Sequence, residues 1–256
     1  MTRPIDGLWP GMSAKDFQNV YRYAIYYCPL FGSSWWDRGC RWLGRRAEDD
    51  SDVVQPVLDG IDPQAFRAIT REPRRYGWHA TLKAPFTLRP EFDYSALRER
   101  VQGICRLRAP QDMPCVAVRR LGNFLALVPA EKSQALALTA QLCVTDLQDM
   151  VQPLTQAELD RRRQADLTPR QEHLLQEWGY PFVLDEYRFH LSLTGSLDGL
   201  SDASIQVLEA GARYWFGALP PLDFCTIAVF AEPSPGANFL LIEHFALGGT
   251  VNREFA

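Results

Sequence analysis

Two seven-residue stretches share the pattern Tyr-x-aromatic-His-x-hydroxyl-Leu: Tyr76-Gly-Trp-His79-Ala-Thr81-Leu82 and Tyr187-Arg-Phe-His190-Leu-Ser192-Leu193. Their histidines lie 111 residues apart and are two of the four histidines in the 256-residue chain. An H-x-[ST] match is weak evidence by itself, but the matching flanks make coincidence much less plausible. The pair therefore indicates an internal duplication.

An Asn-Phe-Leu stretch follows each histidine motif at a similar distance. Asn123-Phe-Leu-Ala-Leu127 begins 44 residues after His79, and Asn238-Phe-Leu-Leu-Ile242 begins 48 residues after His190. Between these landmarks each half has the same predicted order of elements, with helices at about 94–108 and 201–216 and strands at about 113–120 and 223–231. Gly and Pro in the turns that follow permit the sharp reversal of a hairpin.

This order predicts one bilobal domain over residues 1–256. Its parts are repeat one at about 76–130, a helical connection at about 131–182 and repeat two at about 186–249. Further elements are predicted as a strand at 20–28, an amphipathic helix at 34–46 with its tryptophans in the core, and connecting helices at 131–150 and 156–177.

Both histidine segments alternate in polarity, as half-buried strands do. The two polar rows consist of His79, Thr81 and Lys83 and of Arg188, His190 and Ser192. The opposite, apolar faces must pack against helices, so the polar rows are expected to face a groove. We therefore predict an α+β fold in which two antiparallel sheets line a central groove, with helices outside and a pseudo-twofold relation between the halves.

Two symmetry-related histidines suit in-line displacement at a phosphodiester, which needs a base on the attacking oxygen and an acid on the leaving oxygen. An unperturbed pKa near about 6.5 lets one imidazole be neutral while the other is protonated. His79 and His190 are therefore the predicted catalytic pair. The predicted substrate-binding side chains are the hydroxyls of Thr81 and Ser192 and the cations of Lys83 and Arg188.

Other uses of these residues stay open. The histidines could be core residues capped by hydroxyls, or a binding module could capture a nucleotide or phosphorylated metabolite without turnover. A zinc site needs three or four His, Cys or carboxylate ligands, whereas each polar row offers one histidine beside cations, so no metal and no cofactor is predicted. A Cys–His protease is disfavoured because no cysteine falls on either row.

Charge narrows the class of partner. The chain has 27 Lys and Arg against 31 Asp and Glu, a net charge of −4, so it lacks the global positive field that holds long nucleic acid or an anionic membrane. The short run Asp160-Arg-Arg-Arg163 is interpreted as a solvated surface. A small phosphorylated substrate, gripped by local donors, is predicted.

Location is predicted to be cytoplasmic, without membrane contact. Residues 1–10 contain no apolar run of signal-peptide length, and no stretch approaches the ~18 apolar residues of a membrane span. The six cysteines are scattered without a C-x-x-C pair, so they are expected to be reduced and mostly buried.

At the two histidine motifs the sequence resembles the two-histidine (2H) phosphoesterase superfamily, in which two H-x-[ST]-φ motifs lie on a pseudosymmetric bilobal α+β fold. It is similar to a bacterial branch associated with phosphonate metabolism and encoded beside carbon–phosphorus lyase genes. The stretches that carry this resemblance are Arg22-Tyr-Ala-Ile-Tyr26, Trp42-Leu-Gly-Arg45, Pro73 to Phe86, Gly122 to Leu127, Leu167 to Gln171, Trp178-Gly-Tyr-Pro181 and Phe189 to Gly195. Ser192 stands where threonine is expected in this branch, and it keeps the hydroxyl.

The resemblance implies a phosphoric diester hydrolase that acts on cyclic phosphates or on 2′,5′ or 2′,3′ linkages. The family's catalytic residues correspond to His79, Thr81, His190 and Ser192. The genomic company implies opening of a ribosyl cyclic phosphate, the phosphoribosyl 1,2-cyclic phosphate of phosphonate breakdown. An RNA 2′,3′-cyclic phosphodiesterase and a non-catalytic phosphate-binding module are the alternatives, and pseudosymmetry leaves open which histidine is the base.

Overall fold

Antiparallel strands and helices alternate along residues 7–8, 20–164 and 166–248, which a computed structural model describes. The strands are β1 (Gly7–Leu8), β2 (Arg22–Tyr27), β3 (Ala80–Phe86), β4 (Gln111–Asp112), β5 (Val116–Leu121), β6 (Phe124–Pro129), β7 (Leu191–Ser192), β8 (Asp223–Phe224), β9 (Thr226–Glu232) and β10 (Leu240–Ala246). The helices are α1 (Ser34–Leu43), α2 (Pro63–Ile69), α3 (Arg71–Tyr76), α4 (Tyr94–Arg106), α5 (Gln134–Thr145), α6 (Gln156–Arg162), α7 (Pro169–Trp178) and α8 (Asp202–Gly217). Short 3-10 turns lie at Gln148–Met150 and Leu184–Glu186. The predicted α+β class is confirmed.

Three sheets, rather than the two expected, form within the described residues. The strand orders are β1-β10-β9-β2-β3, β5-β6-β7 and β4-β8, and all pairs are antiparallel. The additional sheet pairs two two-residue strands: β4 lies just before the strand predicted at 113–120, and β8 is the first part of the strand predicted at 223–231. Residues outside strand structure separate β4 from β5 and β8 from β9.

The strand that follows each histidine lies at the edge of a sheet. Each of these sheets also contains strands from the other half of the chain. Strand β3 follows His79 and pairs with β2, which pairs in turn with β9 of the second half. Strand β7 follows His190 and pairs with β6 of the first half, so that Ser192 lies opposite Ala126. The two halves therefore exchange hairpins, and neither sheet is built from one repeat alone.

The helices in the two halves begin where the sequence predicts. Helix α4 starts after Asp93 and helix α8 after Ser201, and each of these side chains accepts a backbone hydrogen bond that caps the first turn. The single helix expected at 156–177 is wrong, because α6 and α7 are separate. Thr168 forms a capping box and Pro169 occupies the first turn of α7, which makes this position a helix start. No helix in the described ranges is long and apolar enough to cross a membrane.

The core packs the helices against the five-stranded sheet. Strand β9 is buried along its whole length, as is most of β2 and β10. The predicted burial of the α1 tryptophans is confirmed, since Trp36 and Trp42 are fully buried and Trp35 nearly so. Trp78, which precedes His79, stacks on Phe216 of α8 with a centroid separation of 5.3 Å and thereby ties the first histidine motif to the second half.

Strand β3 departs from regular pairing with β2. Thr81 lies opposite Tyr26 and Lys83 lies opposite Ile25, so three residues of β3 span two residues of β2. A second register shift follows before Phe86 pairs with Tyr23. Such bulges interrupt the alternation of side chains between the two faces, so the polar row predicted for this strand ends after Thr81.

A pair of glycine substitutions tests the packing of α1 against Trp78. In Gly39→Ala the new Cβ would overlap the indole ring of Trp78, so the indole must shift against Phe216. We expect a loss of about 1–3 kcal/mol in the free energy of unfolding, measured by urea denaturation.

The control is Gly103→Ala in α4, where no atom lies within 4 Å of the new Cβ. Because alanine is the better helix former, this variant should gain about 0.5–1 kcal/mol. Equal stabilities for the two variants would show that the Trp78 contact does not restrain α1.

Candidate active site

Two adjoining cavities are lined by residues from both histidine motifs. One, of about 550 Å³, is lined by His79, Thr81 and Ser192, and the other, of about 400 Å³, by Thr81, Arg188 and His190. The residues that line both cavities are Thr81, Ala84, Phe124 and Tyr180. We call the two cavities together the histidine groove; its size suits a small ligand.

His79 is held on three sides. Its Nδ1 lies 2.9 Å from the carbonyl oxygen of Gly77, and its Nε2 lies 3.3 Å from Thr81 Oγ1. The imidazole also stacks on the buried Tyr26 ring, with centroids 3.8 Å apart. Because a carbonyl can only accept, Nδ1 carries the proton in the neutral ring, and Nε2 accepts from the Thr81 hydroxyl.

Gly77 makes the His79 contact possible. Its φ is +83°, a value that side-chain-bearing residues rarely adopt, and a Cβ there would lie 2.8 Å from the Ala47 Cβ. The glycine therefore ends α3 and points its carbonyl at the ring two residues later.

His190 repeats this arrangement in the second half. Its Nδ1 lies 2.8 Å from the carbonyl oxygen of Arg188, again two residues upstream, and its ring centroid lies 5.5 Å from that of Phe124. The neutral tautomer is therefore the same, with Nε2 unprotonated. The two motifs thus agree in the Nδ1 hydrogen bond as well as in their sequence.

Burial shifts the pKa of both imidazoles in the same direction. Desolvation lowers the pKa of His79 to about 4; the bond to Gly77 opposes this shift, and the charge of His190 adds to it. Desolvation also lowers the pKa of His190, against the bond to Arg188. Because charge on one ring disfavours charge on the other, the pair prefers states with at most one proton added.

The two predicted hydroxyls lie in the groove wall. Thr81 borders both cavities, and Ser192 borders the larger one. Thr194, two residues beyond Ser192, also lines the larger cavity but is 2% exposed: its Oγ1 donates to the carbonyl oxygen of Gly195 and accepts from the backbone N–H of Leu125. Thr194 therefore holds β6 against the second motif.

Lys83 does not reach the histidine groove, so its expected place on the polar row is wrong. The bulge in β3 turns it away: its Nζ donates to the carbonyl oxygen of Val144 at 3.1 Å and to Gln148 Oε1 at 3.0 Å. The side chain is 5% exposed and lines a different cavity. Arg188, in contrast, is exposed and borders the groove beside His190.

Arginines that sequence reasoning did not select line the larger cavity, among them Arg22 and Arg162. Arg22 Nε donates to the buried Glu232 at 2.6 Å, and Arg75 binds the other oxygen of that carboxylate, so one negative charge faces two cations. Arg162 is partly buried, not solvated as its run predicted, and donates to the carbonyl oxygen of Gly179. Burial lowers the pKa of Arg162, and the charges of Arg22 and Arg161 lower it further.

The described residues form neither a metal site nor a groove lined by cysteine. No group of three or more His, Cys, Asp or Glu side chains there is placed to hold a metal ion. Four of the six cysteines are buried, and none lines either cavity of the groove. The expectation that most cysteines are buried is confirmed.

Comparison with known proteins identifies the family. The model of the family described as "Protein of unknown function (DUF1045)" matches residues 81–240, more than half of the chain, and the chain belongs to this family. A protein of Janthinobacterium sp. (strain Marseille), named ribose 1,5-bisphosphate phosphokinase PhnN, is 34% identical over 239 residues. A protein of the same name from Laribacter hongkongensis (strain HLHK9) is 33% identical over 222 residues.

These matches cover most of this chain but only part of each relative. They span 92% and 86% of the chain, against 53% and 50% of the two relatives. The chain thus spans about half the length of the curated relatives it matches.

The tautomers and titration of the two rings can be tested by NMR of protein with ¹⁵N-labelled histidine. We expect both neutral rings to carry their proton on Nδ1, and we expect His79 to titrate near pH 4. In His190→Gln the His79 pKa should rise, because the like charge is removed. Protonation on Nε2 of the neutral rings would contradict the assigned hydrogen bonds.

Proposed function

We propose that this chain is a metal-independent phosphoric diester hydrolase that opens a small cyclic phosphate, with His79 and His190 as its acid/base pair. The observation that carries the proposal is the matched setting of the two rings. Each binds the carbonyl two residues upstream through Nδ1, has a hydroxyl side chain two residues downstream, and borders one groove. Nε2 of each neutral ring carries no proton and can take one up; on His79 it does so once the Thr81 hydroxyl turns from Nε2 to the ligand.

We take His79 as the base, because burial lowers its pKa to about 4 and so leaves the free ring neutral above that pH. In the proposed reaction its neutral Nε2 takes a proton from water as the water oxygen bonds to phosphorus. His190, protonated on Nε2, gives its proton to the ester oxygen as the P–O bond breaks. The products are a phosphomonoester and a free hydroxyl, and proton exchange with solvent restores both rings.

Neighbouring side chains supply hydrogen-bond donors and positive charge for the phosphate group. The hydroxyls of Thr81 and Ser192 border the larger cavity and can donate to the non-bridging oxygens. Arg22 and Arg162 in its wall, and Arg188 beside His190, provide local positive charge on a chain whose net charge is −4. This placement favours a compact anion over a long polyanion, because these cations border a groove of limited volume.

For the substrate we propose a ribosyl cyclic phosphate of phosphonate breakdown. The resemblance to a phosphonate-associated branch supports it, and the two relatives are named for a ribose bisphosphate. An RNA terminal 2′,3′-cyclic phosphate is the alternative substrate. Capture of a phosphate ligand without turnover is the alternative function, since the same donors would serve it.

The names of the relatives favour a second candidate, a phosphokinase. The P-loop of one large class of phosphoryl-transfer enzymes has the pattern G-x-x-x-x-G-K-[ST]. The three lysines of this sequence follow Ala14, Leu82 and Glu131, so the pattern is absent from it. The hydrolase is therefore the better proposal for this chain, which matches about half of each relative.

The proposal predicts that His79→Ala and His190→Ala each lose about 10²–10⁴-fold in kcat. The assay follows ring opening of a ribose 1,2-cyclic phosphate and of an RNA terminal 2′,3′-cyclic phosphate by phosphorus NMR, with EDTA present. His173→Ala, a change on the exposed face of α7 outside both cavities of the groove, is the matched control and should keep wild-type activity.

The outcomes separate the alternatives. Full activity of both histidine variants would exclude the acid/base pair, and loss of wild-type activity in EDTA with recovery in zinc would indicate a metal. Binding of a cyclic phosphate without ring opening would favour the binding module. Phosphoryl transfer that requires ATP would favour the kinase.

The pH dependence of the reaction follows from the lowered pKa values. In the free enzyme His79 must be neutral and His190 protonated, so kcat/KM should rise near pH 4 and fall on the acid side of the ordinary histidine pKa. A bound phosphodiester anion favours imidazolium and raises both pKa values, so the bell for kcat should lie at higher pH. Stopped-flow or phosphorus NMR rates over about pH 3.5–9 measure both profiles, and profiles that coincide on the alkaline side would contradict this assignment.

A further inference from the structure

Lys83 is a buried cation that the proposed mechanism does not use. Its side chain is 5% exposed and its Nζ donates to two neutral acceptors, the carbonyl oxygen of Val144 and Gln148 Oε1. The ammonium also lies 5.5 Å from the centroid of the Phe86 ring. Among the residues that the structure describes, no carboxylate lies within ion-pair distance of Nζ.

The charged groups around Lys83 do not neutralise it. Asp149, on the adjacent 3-10 turn, is exposed and its carboxylate binds Arg100 at 3.0 Å. The thiol of Cys143 on α5 has a raised pKa because it is buried, so it is uncharged. An ammonium has three donors and two are satisfied here, which leaves one N–H without an assigned acceptor.

A cavity of about 400 Å³ opens beside Lys83, and we call it the lysine cavity. Its wall is mainly apolar, and it is formed by β3, α6 and α7 together with the segments between α5 and α6. Ala84, Pro85, Arg162 and Tyr180 separate it from the histidine groove, because they line both. The volume lies in the range of sites for small molecules.

The polar groups of the lysine cavity are mostly donors. Arg89 and Arg162 line it with Lys83, and the buried indole Nε1 of Trp178 has no hydrogen-bond partner in the described structure. Glu177 is the one carboxylate among the lining residues described, and it pairs with His173 at 3.2 Å. A buried cation surrounded by donors is stabilised when an anion enters, because the anion replaces the lost hydration and accepts the free N–H groups.

We propose that the lysine cavity binds the oxyanion end of a small organic molecule, a phosphate or a carboxylate, with Lys83 as its counterion and its apolar wall against the rest of the ligand. The site lies beside the histidine groove and does not depend on the proposed hydrolysis. Its geometry requires the bulge in β3, which sends Lys83 to this side of the strand and Thr81 to the other.

The composition of the chain makes the test direct. Lys15, Lys83 and Lys132 are its three lysines, so protein labelled with ¹³Cε-lysine gives three side-chain signals, assigned by single Lys→Arg variants. Burial lowers the pKa of Lys83 to about 8, so its signal titrates below the ordinary lysine range. The titration is measured in chloride, in inorganic phosphate and in acetate at equal ionic strength.

We expect phosphate or acetate to raise the Lys83 midpoint by at least about one pH unit over chloride, because a bound anion favours the ammonium. The Lys132 signal, on an exposed side chain, should not move. A response to phosphate alone or to acetate alone identifies the oxyanion. A Lys83 midpoint that is the same in all three salts would overturn the proposal.

Binding in the histidine groove is distinguished by a second titration. In a His79→Gln, His190→Gln double variant the Lys83 shift should persist, and its loss would place the anion in the groove and reject the lysine cavity. As an independent measurement, the rise in Tm with phosphate should disappear in Lys83→Met and remain in Lys132→Met. If Lys83→Met fails to fold, the titrations of the wild-type chain decide the matter.

Discussion

The pairing of β2 with β3 on one side and β9 on the other is the constraint on which the site depends. Because β9 belongs to the second half of the chain, strand β2 joins the first histidine motif to the second hairpin. Strand β2 also supplies Tyr26, whose ring lies against the His79 imidazole. The reciprocal pairing of β7 with β6 places the second motif against the first hairpin. Neither half can form its part of the groove without the other.

Backbone carbonyls, rather than acidic side chains, orient the two imidazoles. A carboxylate partner would raise the pKa of a histidine, whereas a carbonyl holds the ring with little charge, and desolvation then dominates. Both rings therefore favour the neutral form before a ligand binds. A phosphate anion bound beside the rings, as proposed, would favour their protonated forms.

Cationic side chains line the cavities on both sides of β3. On one side Arg22 and Arg162 border the histidine groove, and on the other Lys83 and Arg89 border the lysine cavity. Glu232 offsets part of the first group by binding Arg22 and Arg75. No comparable ion pair offsets Lys83 among the described residues. Arg162 borders both cavities. An anion bound to it in one cavity would therefore reduce the positive charge that it offers to the other.

The sequence alone determined the features that depend on local pattern. The duplicated motifs identify His79 and His190, helix signals place α4 and α8 almost to the residue, and aromatic spacing predicts the buried tryptophans of α1. These features are readable because hydrophobic period and capping chemistry act over a few residues. Thr168 and Pro169 carried a local signal as well, and it marks the start of a new helix inside the segment predicted as continuous.

Tertiary structure decided what depends on pairing between distant strands. The exchange of hairpins between the halves, the bulge that removes Lys83 from the groove and the recruitment of Arg22 and Arg162 into its wall have no local signature. A bulge shifts every following side chain relative to the partner strand, and the register that creates it is set by contacts some 60 residues away along the chain. Polarity alternation along one strand therefore predicts a face only until the pairing with its neighbour changes register.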